Sequence, residues 1–128
     1  MSYYFSKTFE IQFDEAVEKV TAELKREGFG VLTDIDVKKT LNEKLGVEFR
    51  KYRILGACNP SYAHKALLTE DKIGTMLPCN VIVQEHTDGW VEVAAIDPVA
   101  SMQAVGNPAL EPVGAEVRAK LKHVIDCL

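Results

Sequence analysis

The feature that most constrains the fold is a pair of apolar, β-branched segments separated by four residues. Residues 80–85 and 90–96 have the composition of strands, and residues 86–89 between them contain Asp-Gly. Asp-Gly is typical of tight hairpin turns, because glycine accepts the positive φ that such turns require. The sequence therefore predicts a β-hairpin in the second half of the chain.

Three further strands and four helices are predicted from hydrophobic period and from capping residues. The strands are residues 3–11, 29–33 and 49–57, in which apolar and polar side chains alternate or β-branched residues recur. Apolar residues at helical spacing predict a helix from Asp14 to Gly28 and a final helix from about residue 111. A short helix capped by Asp34 or Asp36 and a helix over residues 60–69 complete the set. Residues 98–108 are predicted to be irregular, with one short helical turn.

The resulting order, β-α-β-α-β-α-β-β-α, predicts an α+β fold. We expect one domain over residues 1–128, with helices packed on a mostly antiparallel or mixed five-stranded sheet. A chain of 128 residues is long enough to bury a core without disulfides or metals.

Composition excludes several classes of function. A net charge of −4 makes nucleic acid a poor partner. The N-terminus lacks the pattern of a signal peptide, and no apolar run approaches the ~18 residues of a membrane span. The three cysteines form no C-x-x-C pair, which favours free thiols in a reducing cytoplasm. We therefore expect a cytoplasmic protein with no membrane segment.

Two cysteine-containing segments are the best candidates for a site. They are Gly-Ala-Cys-Asn-Pro at residues 56–60 and Leu-Pro-Cys-Asn at residues 77–80. Asn59 is a favourable N-cap and Pro60 a favourable first helical residue, so Cys58 would lie beside a helix N-terminus. The partial positive charge there stabilises a thiolate. Cys79 would begin the next strand, and both thiols would share one sheet edge if the two strands are neighbours.

Four interpretations of these cysteines remain open at this point. Cys58 is a candidate nucleophile if its thiol is exposed and its pKa lowered. Cys58 and Cys79, with His64 on the following helix, are candidate ligands for Zn or another soft metal such as Cu(I). The two thiols would form a dithiol–disulfide switch if their Cα atoms lie within ~7 Å. The fourth interpretation is that both are small buried apolar residues, with Asn and Pro serving as caps and turns.

The two segments also carry a family resemblance. In this order, followed by Asp97-Pro98, they resemble the signature of the "domain of unknown function 302" family, and the resemblance extends over nearly the whole chain. It implies a small α+β domain that is often a homodimer, and it implies no particular reaction. The signature positions in this sequence are Cys58, Asn59, Pro60, Pro78, Cys79, Asn80, Asp97 and Pro98.

Three functional hypotheses follow, and the reaction class stays open. The first is a dimeric binding module for a small ligand or a metal, in which Cys58, Asn59, Pro60, His64, Cys79 and Asn80 form the site. In this hypothesis the apolar segment 98–110 covers the site or belongs to the dimer interface. The second is a thiol-dependent redox or transfer enzyme that uses Cys58. The third is an interaction module in which the cysteines only pack.

Overall fold

The computed structural model describes residues 2–128, which form five strands and five α-helices. In chain order these are β1 (Tyr4–Phe9), α1 (Phe13–Arg26), β2 (Gly30–Asp36), α2 (Val37–Leu45), β3 (Tyr52–Cys58), α3 (Pro60–Thr69), β4 (Cys79–Glu85), β5 (Val91–Ile96), α4 (Pro98–Met102) and α5 (Glu111–Asp126). Short 3₁₀ helices cover Ile73–Met76, Gln103–Val105 and Pro108–Leu110. The predicted α+β class and five-stranded sheet are confirmed.

The five strands form a single sheet in the order β1-β5-β4-β3-β2, and every neighbouring pair is antiparallel. The predicted hairpin joins β4 to β5. Its turn contains Gly89 at φ +87°, and the His86 amide donates to the Trp90 carbonyl at 2.8 Å. The sequence left a mixed sheet open, and the structure resolves this in favour of a fully antiparallel one.

The hydrophobic core lies between one face of the sheet and the two long helices. Every second residue of the central strands faces this core, because side chains alternate along a strand. Val83 of β4 and Val93 of β5 are opposite each other, and both are fully buried with Val20 of α1 and Leu121 of α5. The helices cover this side because each has an apolar stripe at helical spacing.

The other face of the sheet, which we call the open face, points away from α1 and α5. A row of side chains crosses all five strands there, since the register places them opposite one another. In strand order this row consists of Ser6, Ala94, Ile82, Ile54 and Ile35. Ile35 at the sheet edge is 47% exposed. α2 packs against β2 and β3, and none of its residues is buried.

Four boundary predictions needed correction. β1 ends at Phe9 rather than at residue 11, and β3 begins at Tyr52 rather than at residue 49. β2 extends to Asp36, beyond the predicted end at Thr33, and the Asp36 carboxylate then caps α2 by accepting from the Lys39 amide at 3.0 Å. Residues 98–110 contain more helix than predicted. Side-chain caps explain this. The Asp97 carboxylate accepts from the Val99 amide at the start of α4, and the Asn107 side chain accepts from the Ala109 amide at the start of the last 3₁₀ helix.

Candidate functional site

An apolar cavity of about 310 Å³ lies where β3 ends and β4 begins, and we call it the cysteine cavity. Ala57 is opposite Cys79 in the β3–β4 pair, and Cys58 follows directly. Both thiols line the cavity, together with residues of α3 and α5. The structure therefore brings together the two cysteines that the sequence left 21 positions apart.

The wall opposite the strands is formed by α3 and α5. From α3 the lining residues are Tyr62, Ala63, Ala66 and Leu67, which share one face because they are three or four residues apart. From α5 the lining includes Val117, one turn before the core residue Leu121. Small alanines on α3 leave the space that larger side chains would fill.

Burial separates the two thiols chemically. It raises the pKa of Cys79 from its ordinary value of 9.0 to about 11, and the negative charge of a Cys58 thiolate would add to the shift. Cys79 is therefore a protonated thiol at neutral pH. Both cysteines keep partial solvent access, and Cys58 is the last residue of β3. Burial thus disfavours the thiolate form of Cys79, which leaves Cys58 as the candidate for thiol chemistry.

Tyr62 lines the cavity with its ring, and its hydroxyl is exposed beside Glu116. A side-chain hydrogen bond to Glu116 of α5 raises the pKa of the Tyr62 hydroxyl. The ammonium groups of Lys65 and Lys120 lie 5.4 and 5.9 Å from the centre of its ring. The ring of Tyr62 thus lines the cavity, with the charged groups of Lys65, Glu116 and Lys120 around it.

Asn59 occupies the predicted N-cap position of α3, but its side chain does not cap the helix. Instead Asn59 Nδ2 donates to the Glu27 carbonyl at 3.3 Å, in the turn between α1 and β2. Gly28 in that turn has φ +86°, and the Asn59 amide lies against it. Asn59 therefore ties the α1–β2 turn to the cavity. Pro60 is the first residue of α3, as predicted, and is exposed.

Two other predicted site residues lie elsewhere. Asn80 is exposed on the open face, because it follows Cys79 in a strand and so points the opposite way. His64 is exposed on α3, away from the helix face that lines the cavity. Within residues 2–128, no three Cys, His, Asp or Glu side chains lie close enough together to hold a metal ion.

Sequence reasoning missed several lining residues that come from distant segments. Leu32 reaches the cavity from the irregular part of β2, and Met102 from the end of α4. The only signal for Met102 was the apolar character of residues 98–110, for which the sequence left open a cover over the site or a part of a dimer interface. Leu32 and Leu67 are 68% and 45% exposed, so apolar side chains also surround the cavity.

The fold and the cavity define a class of small antiparallel α+β domains in which an apolar cavity lies at one end of a five-stranded sheet. The family model described as "Domain of unknown function DUF302" matches residues 5–128, and the chain belongs to this family. The match confirms the resemblance that the two cysteine segments indicated.

One of the solved structures that this chain resembles is the crystal structure of an uncharacterized conserved DUF302 protein from Bacillus stearothermophilus. The two sequences are 28% identical, the comparison covers 98% of each chain, and the TM-score is 0.91. No curated protein matches the sequence. None of the helices in residues 2–128 is long and apolar enough to cross a bilayer.

Proposed function

We propose that this protein is a binding module for a small, uncharged, apolar molecule, which it holds in the cysteine cavity. The observation that carries the proposal is an open, almost wholly apolar cavity at the end of the sheet. Its volume of about 310 Å³ lies at the lower end of the ~300–1,000 Å³ range of small-molecule sites.

The lining determines which molecules fit. The few polar groups are the thiols of Cys58 and Cys79 and the side chains of Asn59 and Tyr62. The Asn59 amide already donates to the Glu27 carbonyl, and the Tyr62 hydroxyl is exposed beside Glu116 rather than directed at a ligand. No lysine, arginine or carboxylate is among the lining residues, so an ion would lose its hydration without gaining a partner. These features favour a neutral ligand held mainly by apolar contact.

A second candidate function is nucleophilic thiol chemistry at Cys58. It is favoured by the presence of two partly accessible thiols in one cavity, since burial raises the pKa of Cys79 and leaves Cys58 as the candidate nucleophile. An apolar pocket beside a nucleophile would select an apolar substrate, so the two candidates share a ligand class. They differ in whether Cys58 forms a bond to the bound molecule.

Binding of Nile red, an uncharged apolar dye with environment-sensitive fluorescence, tests the first candidate. We expect the wild-type protein to bind it, and Ala63→Trp to weaken binding at least tenfold by filling the cavity from α3. Ala22→Trp is the matched control, since Ala22 is exposed on α1. It should bind the dye as the wild type does.

Circular dichroism of each variant separates a blocked cavity from a damaged fold. A folded Ala63→Trp protein that binds Nile red with unchanged affinity would place the dye elsewhere and contradict the proposal. Absence of dye binding by the wild-type protein would also contradict it.

A further inference from the structure

We propose that the ligand of the cysteine cavity is an elongated molecule with an apolar chain and a neutral polar head, and that it extends past Met102 into a second cavity. This inference rests on the proposed function, because it assigns the shape and the head group of the same ligand. The second cavity has a volume of about 450 Å³ and lies between α4 and the first turns of α5, and we call it the α4–α5 cavity. Met102 lines both cavities, so the two spaces are adjacent.

α5 forms part of the wall of both cavities. Val113 and Val117 line the cysteine cavity, whereas Gly114 and Ala115 line the α4–α5 cavity. Val113 and Gly114 are neighbours in the chain, so the wall passes from one cavity to the other within a single turn of the helix. A chain-like ligand can therefore follow α5 from the first cavity into the second.

The boundary between the two cavities is a side chain that can move. Met102 is the last residue of α4 and is only partly buried. Methionine is unbranched and has three rotatable bonds, so it adapts its shape to the group on which it packs. Rotation of the Met102 side chain joins the two cavities without any change in the backbone.

Gly114 leaves space on the α5 side of Met102. A Cβ built at Gly114 would lie 3.8 Å from Met102 Sδ and 3.8 Å from Val99 Cγ2, which is an ordinary van der Waals distance. Alanine would therefore fit at this position, and it has a higher helix propensity than glycine. The packing of α4 on α5 does not require glycine here. Its effect is to keep the α4–α5 cavity wide, which is the space that the ligand chain would occupy.

The polar side chains of the α4–α5 cavity favour a neutral head group. The lining includes the apolar Val99 and Leu110, and the polar Gln103 and Glu111 are exposed. A hydroxyl group can hydrogen-bond to either polar side chain while it stays in contact with water. Within residues 2–128, Glu111 is the only charged residue that lines either cavity, and it would repel a carboxylate or phosphate head. The ligand class is therefore a long-chain alcohol or another neutral, single-chain amphiphile.

The volume of the cysteine cavity sets the chain length at which the second cavity becomes necessary. A cavity of about 310 Å³ holds roughly ten groups of the size of a water molecule, at ~30 Å³ each. 1-Octanol therefore fits within the cysteine cavity, whereas 1-dodecanol must extend beyond it. Each further methylene group that leaves water should strengthen binding about fourfold.

Displacement of Nile red by 1-alkanols of increasing length tests the proposal. We expect the wild-type protein to bind 1-dodecanol at least ~50-fold more tightly than 1-octanol, because the additional methylene groups are buried in the α4–α5 cavity. Ala115→Trp places an indole in that cavity. It should weaken binding of 1-dodecanol at least ~10-fold and leave binding of 1-octanol within about twofold of the wild type. Ala119→Trp is the matched control, since Ala119 is exposed on the same helix and lines neither cavity. It should bind both alcohols as the wild type does.

Gly114→Leu fills the α4–α5 cavity from its inner wall and should cause the same loss, confined to the longer alcohol. Gly114 is buried, so this variant can fail to fold, and circular dichroism detects that failure. Ala115→Trp then decides the question alone, because Ala115 is exposed. Unchanged binding of 1-dodecanol in either folded variant would overturn the proposal, and so would equal affinity of the wild-type protein for the two alcohols.

Dodecanoate tests the head group. It has the chain length of 1-dodecanol and carries a carboxylate, so it should bind the wild-type protein at least ~10-fold more weakly at pH 8, because the carboxylate loses hydration beside Glu111. Equal affinity would overturn the assignment of a neutral head.

The proposed function and this extension fail in different ways. Binding of 1-octanol that Ala63→Trp weakens, without tighter binding of 1-dodecanol, would overturn the extension and leave the proposed function intact. A wild-type protein that binds neither Nile red nor 1-octanol would contradict both.

Discussion

Substitution of Gly56 by alanine should destabilise the protein, because three chain segments meet at this residue. Gly56 lies in β3 opposite Thr33 of β2, and Pro78 approaches it from the start of β4. A Cβ built at Gly56 would lie 2.7 Å from Pro78 Cγ and closer still to Thr33 Oγ1. Real Cβ atoms essentially never approach a heavy atom within 3.0 Å, so a strand or the Pro78 segment must move.

The size of the effect follows from two opposing contributions. Overpacking in a well-packed region costs about 1–3 kcal/mol. Alanine loses less conformational entropy than glycine on folding, which offsets about 0.5–1 kcal/mol of that cost. We expect Gly56→Ala to lower the free energy of unfolding by about 1–2 kcal/mol. For a chain of this size that corresponds to a fall of ~4–8 °C in the midpoint of thermal unfolding.

Urea unfolding followed by circular dichroism measures this change. Gly30→Ala is the matched control, since Gly30 is also in a strand and a Cβ there meets no heavy atom within 4 Å. It should be neutral or slightly stabilising. Adding Thr33→Ala to Gly56→Ala should recover part of the loss. Equal stability of Gly56→Ala and Gly30→Ala would refute the close approach at Gly56.

Three further predictions concern residues that line the cysteine cavity. Because the pKa of Cys79 is about 11 rather than 9.0, iodoacetamide at pH 8 should modify Cys79 at least tenfold more slowly than Cys58, as measured by mass spectrometry. Equal rates would count against thiol chemistry at Cys58. The unfolded chain releases the Cys79 proton at lower pH than the folded chain does. The free energy of unfolding should therefore fall as pH rises from about 9 to about 11. In Cys79→Ala this fall between pH 9 and 11 should be absent. Asn59→Ala should cost ~1 kcal/mol through the lost hydrogen bond to Glu27. Asn59→Asp should lower stability by at least as much, since an aspartate carboxylate cannot donate a hydrogen bond to the Glu27 carbonyl. If Asn59→Asp were as stable as the wild type, the side chain at this position would act as the cap of α3 instead.

The fold was predictable as far as local patterns determine it. The β4–β5 hairpin follows from two apolar segments and the Asp-Gly turn, and α1 and α5 follow from their apolar stripes. The position of β1 beside β5 does not follow in this way. It depends on pairing between Tyr4 and Ile96, which are far apart in the sequence, and no local pattern encodes that choice.

The site was predictable in part, and the failures have geometric causes. That Cys58 and Cys79 share a cavity follows once β3 and β4 are neighbours. Strict alternation would have assigned Asn80 to the opposite face from Cys79, and helical spacing would have separated His64 from the face formed by Tyr62 and Ala66. Met102 could not have been assigned to the cavity from the sequence. Residues 98–110 have no regular spacing of apolar residues, so the position of α4 relative to the sheet is not predictable from a local pattern.

The two cysteine segments have more than one structural role, and the roles are connected. Cys58 and Cys79 line the cavity, while Gly56 and Asn80 form a pair on the open face. Pro78 belongs to both surroundings, since it lines the cavity and also lies against Gly56. The absence of a side chain at Gly56 therefore lets Pro78 approach β3 closely, and Pro78 directly precedes the Cys79 that faces the cavity. The contact between Gly56 and Pro78 thus helps to set the distance between the end of β3 and the start of β4, where Cys58 and Cys79 lie.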